Sequence, residues 1–107
     1  MSSKTDFNEV ITRSKEIREL YHALELTYHG SKWTVEEDAL AFLTDAGLVG
    51  RLAMSQQGRW PKANTDEELS HKLGESIWWL IILAGRMDID INKALEGFLT
   101  KTEILLK

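Results

Sequence analysis

The chain has 107 residues, 43% of them hydrophobic and 28% charged, which is an ordinary composition for one soluble globular domain. A net charge of −4 leaves no basic stripe for phosphate contacts, which argues against a nucleic-acid partner. The absence of cysteine excludes disulfides and thiolate metal sites. The longest apolar run is far shorter than the roughly 20 residues that span a bilayer. We therefore expect a cytoplasmic protein with no membrane partner.

Four segments with apolar periodicity predict four helices, and strand-like alternation is not sustained anywhere in the chain. We expect an all-α four-helix bundle that forms one domain over residues 1–107. The helices are expected at residues 6–27, 34–57, 65–86 and 90–106. In the first helix Ile17, Leu20, Tyr21 and Leu24 recur at three- and four-residue steps, the repeat of an amphipathic helix.

Two Thr-x-x-Glu sequences mark predicted helix starts, Thr34 with Glu37 and Thr65 with Glu68. In a capping box the threonine hydroxyl accepts from the backbone N–H three residues on, and the glutamate side chain reaches back to the threonine N–H. The pattern therefore predicts that the second and third helices both begin with capping boxes. Gly30 suits the left-handed position just past the end of the first helix.

The third helix contains an apolar segment, residues 77–84, that has no polar face. A helix of this kind has to be surrounded, and four helices of this size scarcely enclose one. We favour burial by a second copy of the chain, which predicts a homodimer or a dimer of dimers. The alternative is that the first and fourth helices cover the segment within a monomer.

Gly47 and Gly50 lie inside the second predicted helix, where each costs about 1 kcal/mol relative to alanine. Glycine inside a helix often indicates that another backbone or a ligand comes close. Of these two interpretations, close packing of another helix is favoured.

Acidic residues are spaced to share helix faces. Asp38 and Asp45 lie two turns apart on the second helix, and Glu68 and Glu75 have the same spacing on the third, with Lys72 between them. If the two helices pack antiparallel, both stripes face a shared cleft. Carboxylates from facing helices can hold Mg²⁺, which prefers oxygen ligands and leaves room for substrate phosphates. The alternative is that these acids form ordinary solvated helix faces.

The loop between the second and third helices carries candidate substrate-binding residues. The indole of Trp60 could stack on a base, and Arg59, Lys62 and Lys72 could neutralise phosphates or simply face solvent. The three histidines have no partner at metal-ligand spacing, so each is interpreted as a surface or capping residue. They are His22, His29 and His71.

Three stretches carry a resemblance to a known family: His29–Glu37 leading into Leu43–Gly47, then His71–Trp78, then Leu83–Ile91. Through them the segment from residue 33 to residue 103 resembles the MazG-like nucleoside triphosphate pyrophosphohydrolases, which are all-helical. Members of that family cleave nucleoside triphosphates, or related dinucleotides, between the α- and β-phosphates. The resemblance implies a nucleoside triphosphate partner and a Mg²⁺ cofactor.

The family pattern has an acid-x-x-acid pair on the second helix and Glu-x-x-Asp on the third, and these four carboxylates bind Mg²⁺ and position the attacking water. Asp45 fills the first position, but the second falls on Leu48. On the third helix Lys72 stands where the family has Glu, and Glu75 stands where it has Asp. The resemblance thus implies Asp45 and Glu75 as catalytic and metal-binding residues within a degenerate ligand set.

Two functions follow from this match. One is Mg²⁺-dependent hydrolysis of a (d)NTP to a (d)NMP and pyrophosphate, with Asp38 and Glu68 as candidate substitute ligands beside Asp45 and Glu75. The other is a catalytically inactive MazG-like helical module that acts as a nucleotide binder, a regulator or an oligomerisation partner. In that case the ammonium of Lys72 could replace a cation and contact phosphates directly.

Overall fold

Residues 6–107 are described by the computed structural model. They form four α-helices in chain order: α1 (Phe7–His29), α2 (Val35–Gln56), α3 (Thr65–Arg86) and α4 (Ile91–Leu106). No strand occurs among these residues. The prediction of an all-α chain with four helices is therefore confirmed, and each boundary lies within two residues of its expected place. No helix in residues 6–107 combines the length and the hydropathy needed to cross a membrane.

Three helices begin at a side chain that accepts a backbone N–H from the first turn. Asp6 accepts from the N–H of Glu9 at 2.8 Å, and Asp90 accepts from the N–H of Lys93 at 3.0 Å. Thr34 and Glu37 form the predicted capping box, with hydrogen bonds of 3.1 and 2.8 Å. These contacts satisfy N–H groups that have no partner inside their own helix.

The second predicted capping box is wrong. Thr65 already lies inside α3, and its hydroxyl donates to the carbonyl of Lys62 at 2.9 Å. The carboxylate of Glu68 accepts from the ammonium of Lys62 at 2.7 Å and does not reach back to the start of the helix. Asn64, with a φ of 58°, turns the chain into α3. The hydroxyl of Ser55 shares a 2.6 Å hydrogen bond with Thr65 and ties α2 to this helix start.

The helices divide between two compact units. One consists of the described residues up to Lys32 together with Ile81–Lys107, and the other consists of Trp33–Leu80. In the first unit, four consecutive residues of α3, Ile81 to Ala84, are all buried. In the second unit, Leu52 and Trp79 are the buried apolar residues. The cores of both units therefore draw on the apolar segment of α3.

Part of the apolar segment of α3 is buried without a second copy of the chain. Ile81–Ala84 are buried within the single chain, and Ile81 lines a cavity together with Ile11 of α1 and Ile91 of α4. Ile77 and Leu80 remain 56% and 45% exposed. Burial within the single chain, which was the alternative interpretation, thus applies to the C-terminal half of the segment.

The expectation of close packing at Gly47 and Gly50 is wrong for the described chain. A Cβ placed on either residue would meet no atom within 4 Å. The close approach is instead at Gly85, where a Cβ would lie 3.3 Å from Cε of Lys15. Gly30 ends α1 with a φ of 75°, in the left-handed conformation that its position predicted.

Candidate functional site

Asp45, Lys72 and Glu75 form one cluster in the unit of residues 33–80. The ammonium of Lys72 donates to Oδ1 of Asp45 at 3.0 Å and to Oε1 of Glu75 at 2.9 Å. Lys72 and Glu75 are one helical turn apart on α3, and Asp45 comes from α2. From their spacing, antiparallel packing of the two helices was expected to bring the acidic stripes together, with solvated helix faces as the alternative; the structure does bring Asp45, Lys72 and Glu75 together.

The carboxylate of Asp45 is engaged through both oxygens. Its Oδ2 accepts from the indole Nε1 of Trp79 at 2.8 Å, while Oδ1 accepts from Lys72. Asp45 is 8% exposed and Trp79 is 7% exposed, so this hydrogen bond is shielded from water. The indole of Trp79 is held edge-on by Trp78, with ring centroids 4.7 Å apart. The carboxylate therefore has a fixed orientation, with Lys72 as its cationic partner.

The ammonium of Lys72 is stabilised by its two acidic partners. The hydrogen bond to Glu75 and then the one to Asp45 raise the pKa of Lys72 above its ordinary value, although burial opposes this. Two carboxylates and one ammonium leave the cluster with a single negative charge. Glu75 is also 3.7 Å from Nε2 of His71, whose side chain is 76% exposed. Lys72 is therefore the charged partner that holds the two acids together.

This arrangement does not fit a magnesium ion. A cation between Asp45 and Glu75 would have to displace the Lys72 ammonium, because two cations at contact distance repel each other. Leu48, one turn after Asp45 on α2, offers no oxygen ligand. Within residues 6–107 there is no group of three or more acidic or histidine side chains that could hold a metal ion.

The two other acids considered as metal ligands have different surroundings. The carboxylate of Glu68 pairs with the ammonium of Lys62, with both side chains partly exposed. Asp38 is completely buried in α2. A buried carboxylate needs hydrogen bonds or a charge partner to be tolerated, so Asp38 belongs to the internal polar structure of this unit.

The loop residues proposed to meet a nucleotide are largely engaged with their own chain. The guanidinium of Arg51 lies 3.6 Å above the ring of Trp60 and donates to the Trp60 carbonyl at 2.8 Å. One face of this indole is thus covered, although 53% of the residue is exposed. Lys62 donates to Glu68, whereas Arg59 is exposed.

The interpretation of His22 as a surface residue is wrong. His22 is 6% exposed and lies on the buried side of α1, together with Ser14 and Arg18. Arg18 pairs with Glu25 at 2.8 Å, so this buried side is mostly polar. The four-residue steps of Ser14, Arg18 and His22 were a usable signal, but an apolar stripe is normally assumed to face the core.

Comparison with known proteins adds no assignment: the chain matches no family model, no curated protein and no solved structure.

Proposed function

We propose that this protein is a non-catalytic helical module of the MazG-like type that pairs with a second copy of itself. The observation that carries the proposal is the position of Lys72, whose ammonium bridges Asp45 and Glu75. In the family that the sequence resembles, two acids at these places bind a metal ion. Here a side-chain cation bridges them, which stabilises the pair of helices without a bound ion.

The pairing part of the proposal is supported by the surface of α1. Its apolar side chains at residues 17, 20, 21, 24 and 28 are 45–74% exposed, whereas Ser14, Arg18 and His22 are buried. The helix thus presents its apolar side outwards. A row of exposed apolar side chains of this kind marks an interaction surface, and self-association of the chain as a homodimer or dimer of dimers would cover it.

A second candidate is the pyrophosphohydrolase activity itself, and the convergence of Asp45 and Glu75 favours it. Pyrophosphate release separates the two candidates. The purified protein is incubated with a panel of nucleoside triphosphates and Mg²⁺ or Mn²⁺, beside a Glu75→Ala variant. We expect equal, background release from both proteins. Release by the unchanged protein that is lost in Glu75→Ala would overturn the non-catalytic proposal.

A variant that restores the acids of the family pattern serves as a positive control for metal binding. The triple change Leu48→Asp, Lys72→Glu and Glu75→Asp rebuilds the acid pattern of the family. We expect calorimetric titration with Mg²⁺ to show binding to the triple variant and none to the unchanged protein. Lys72→Met is the matched control because it removes the ammonium without adding a ligand. Equal Mg²⁺ binding by the unchanged chain and the triple variant would contradict the role given to Lys72.

A further inference from the structure

A cavity of about 270 Å³ lies in the unit that contains α1 and the end of α3. Its wall carries three cationic side chains, Lys15 and Arg18 from α1 and Arg86 from α3, against one carboxylate, Glu19. Arg18 is also paired with Glu25 at 2.8 Å. Cations outnumber acids in the cavity wall of a chain whose overall charge is −4.

The same cavity is lined by a buried histidine whose ring makes no hydrogen bond. His22 is 6% exposed, and neither of its ring nitrogens has a hydrogen-bond partner within the described chain. The carboxylate of Glu19 lies 3.7 Å from Nδ1. A buried polar group without a partner is costly and uncommon in folded proteins. His22 therefore adds to the cationic wall of this cavity a buried polar group that is not hydrogen-bonded among the described residues.

A glycine of α3, Gly85, lines the cavity beside Lys15. A Cβ at this position would lie 3.3 Å from Cε of Lys15. The end of the Lys15 side chain thus lies against Gly85 of α3. Ile82 supplies an apolar part of the wall. The volume is slightly below the range of about 300–1,000 Å³ for drug-sized ligands, so the space suits a small group.

We propose that this cavity binds a small oxyanion of the phosphate type. Guanidinium groups present planar sets of N–H donors that match phosphate oxygens, and ammonium groups add charge. The cavity wall offers an anion the positive charges of Lys15, Arg18 and Arg86. This site lies in a different unit from the Asp45–Lys72–Glu75 cluster, and it does not depend on the non-catalytic function proposed for the chain.

Anion binding and the charge of His22 are linked. Burial, then the charges of Arg18 and Arg86, lower the pKa of His22, while Glu25 and Glu19 act in the opposite direction. An oxyanion in the cavity counteracts the two arginines, which favours the protonated imidazole. By thermodynamic linkage, the protonated form then binds the anion more tightly. Binding should therefore strengthen as the pH falls through the histidine range.

Calorimetric titration with inorganic phosphate and with sulfate tests the site. Sulfate keeps its charge in this pH range, so a pH dependence of its affinity reports on the protein. We expect tighter sulfate binding at about pH 5.5 than at about pH 7.5, on either side of the ordinary histidine pKa of about 6.5. In His22→Phe the pH dependence should disappear, and unfolding curves establish that the variant is folded.

Arg86→Gln should weaken phosphate binding by about tenfold or more, the effect of one charge-assisted hydrogen bond. Arg13→Gln is the matched control, because Arg13 is an exposed cation on α1 that does not line the cavity. No binding of either anion, equal loss in both variants, or loss in Lys72→Gln but not in Arg86→Gln would overturn the proposal.

A nucleoside monophosphate in place of phosphate identifies the source of the group. Affinity at least tenfold above that of inorganic phosphate would assign the cavity to a nucleotide phosphate, whereas equal affinity would assign it to the free ion. Nucleotide binding that Arg86→Gln leaves unchanged would contradict a role for this cavity.

Discussion

Lys72 shows how a neighbouring cation determines what a pair of acids can do. The helix spacing of Asp38, Asp45, Glu68 and Glu75 allowed either a shared cleft or solvated helix faces, and the structure places Asp45 and Glu75 on the same ammonium of Lys72. The sequence could not reveal that Lys72 donates to both acids, because a lysine side chain is long enough to turn towards solvent instead. Residue spacing thus located the cluster, while side-chain geometry determined its chemistry.

Removing the Lys72 ammonium should therefore destabilise the fold. In Lys72→Met, the carboxylates of Asp45 and Glu75 lose their shared cation, and Asp45 is 8% exposed. We expect the free energy of unfolding to fall by about 1–2 kcal/mol, between the values for exposed and buried ion pairs. Urea denaturation at neutral pH measures this. His71→Gln changes the neighbouring exposed residue and should stay within about 0.5 kcal/mol of the unchanged protein; equal losses would contradict the bridging role.

His22 should make stability fall in acid. Because the pKa of His22 is lowered in the folded state, the unfolded chain binds more protons once the pH drops below about 6.5. The contribution of neutral His22 to the free energy of unfolding is thus complete above that pH. It is lost as the pH falls towards the pKa of His22 in the folded state. Urea denaturation across this pH range should show a smaller loss of unfolding free energy in His22→Phe than in the unchanged protein. The control variant His29→Gln, at an exposed histidine, should lose as much unfolding free energy in acid as the unchanged protein. If the unfolding free energy of His22→Phe depends on pH as strongly as that of the unchanged protein, the role given to His22 is contradicted.

At the scale of helices, two identical sequence patterns have different outcomes. Thr34 and Glu37 form a capping box, but Thr65 and Glu68 do not. Local pattern cannot distinguish them, because Ser55 and Lys62 compete for the side chains of Thr65 and Glu68. Helix extent, by contrast, was predictable to within two residues, since apolar periodicity and breaker residues are properties of the local sequence.

Gly47 in α2 allows helix propensity to be tested at a position where the described single chain makes no packing contact. A Cβ at Gly47 would meet no atom within 4 Å, so Gly47→Ala should stabilise the chain by up to about 1 kcal/mol. Thermal unfolding at low protein concentration measures the change. Gly30→Ala is the control, since its φ of 75° is unfavourable for alanine, and it should lower stability. Destabilisation by Gly47→Ala would show that something absent from the single chain packs on this side of α2.

At the scale of the whole molecule, the sequence predicted self-association because the apolar segment of α3 needs cover, and the structure supports only part of that reason. The apolar segment of α3 is covered by its own chain at Ile81–Ala84. The stronger reason is α1, where the apolar stripe is outside and Arg18 and His22 are inside. Periodicity located that stripe but could not tell that it faces outwards, because burial depends on what the rest of the chain places beside it.

Self-association should therefore depend on the exposed stripe of α1. Leu20 and Leu24 are 64% and 50% exposed, and an acidic residue at either place would be buried without a partner in a paired interface. We expect Leu20→Glu with Leu24→Glu to convert the protein to a monomer in sedimentation velocity, while the unchanged chain sediments as a dimer or tetramer.

Leu26→Glu supplies the control for this experiment. Leu26 is 48% exposed but lies nine residues, about two and a half turns, after Ile17, on the opposite side of the helix from the stripe. It adds one of the two charges of the double variant, at a leucine about as exposed as Leu24, so it should leave the assembly intact. Dissociation by Leu26→Glu alone would place the interface on another side of α1. A monomeric unchanged chain at all concentrations would remove the pairing from the proposed function, while leaving the role of Lys72 to be judged by metal binding and pyrophosphate release.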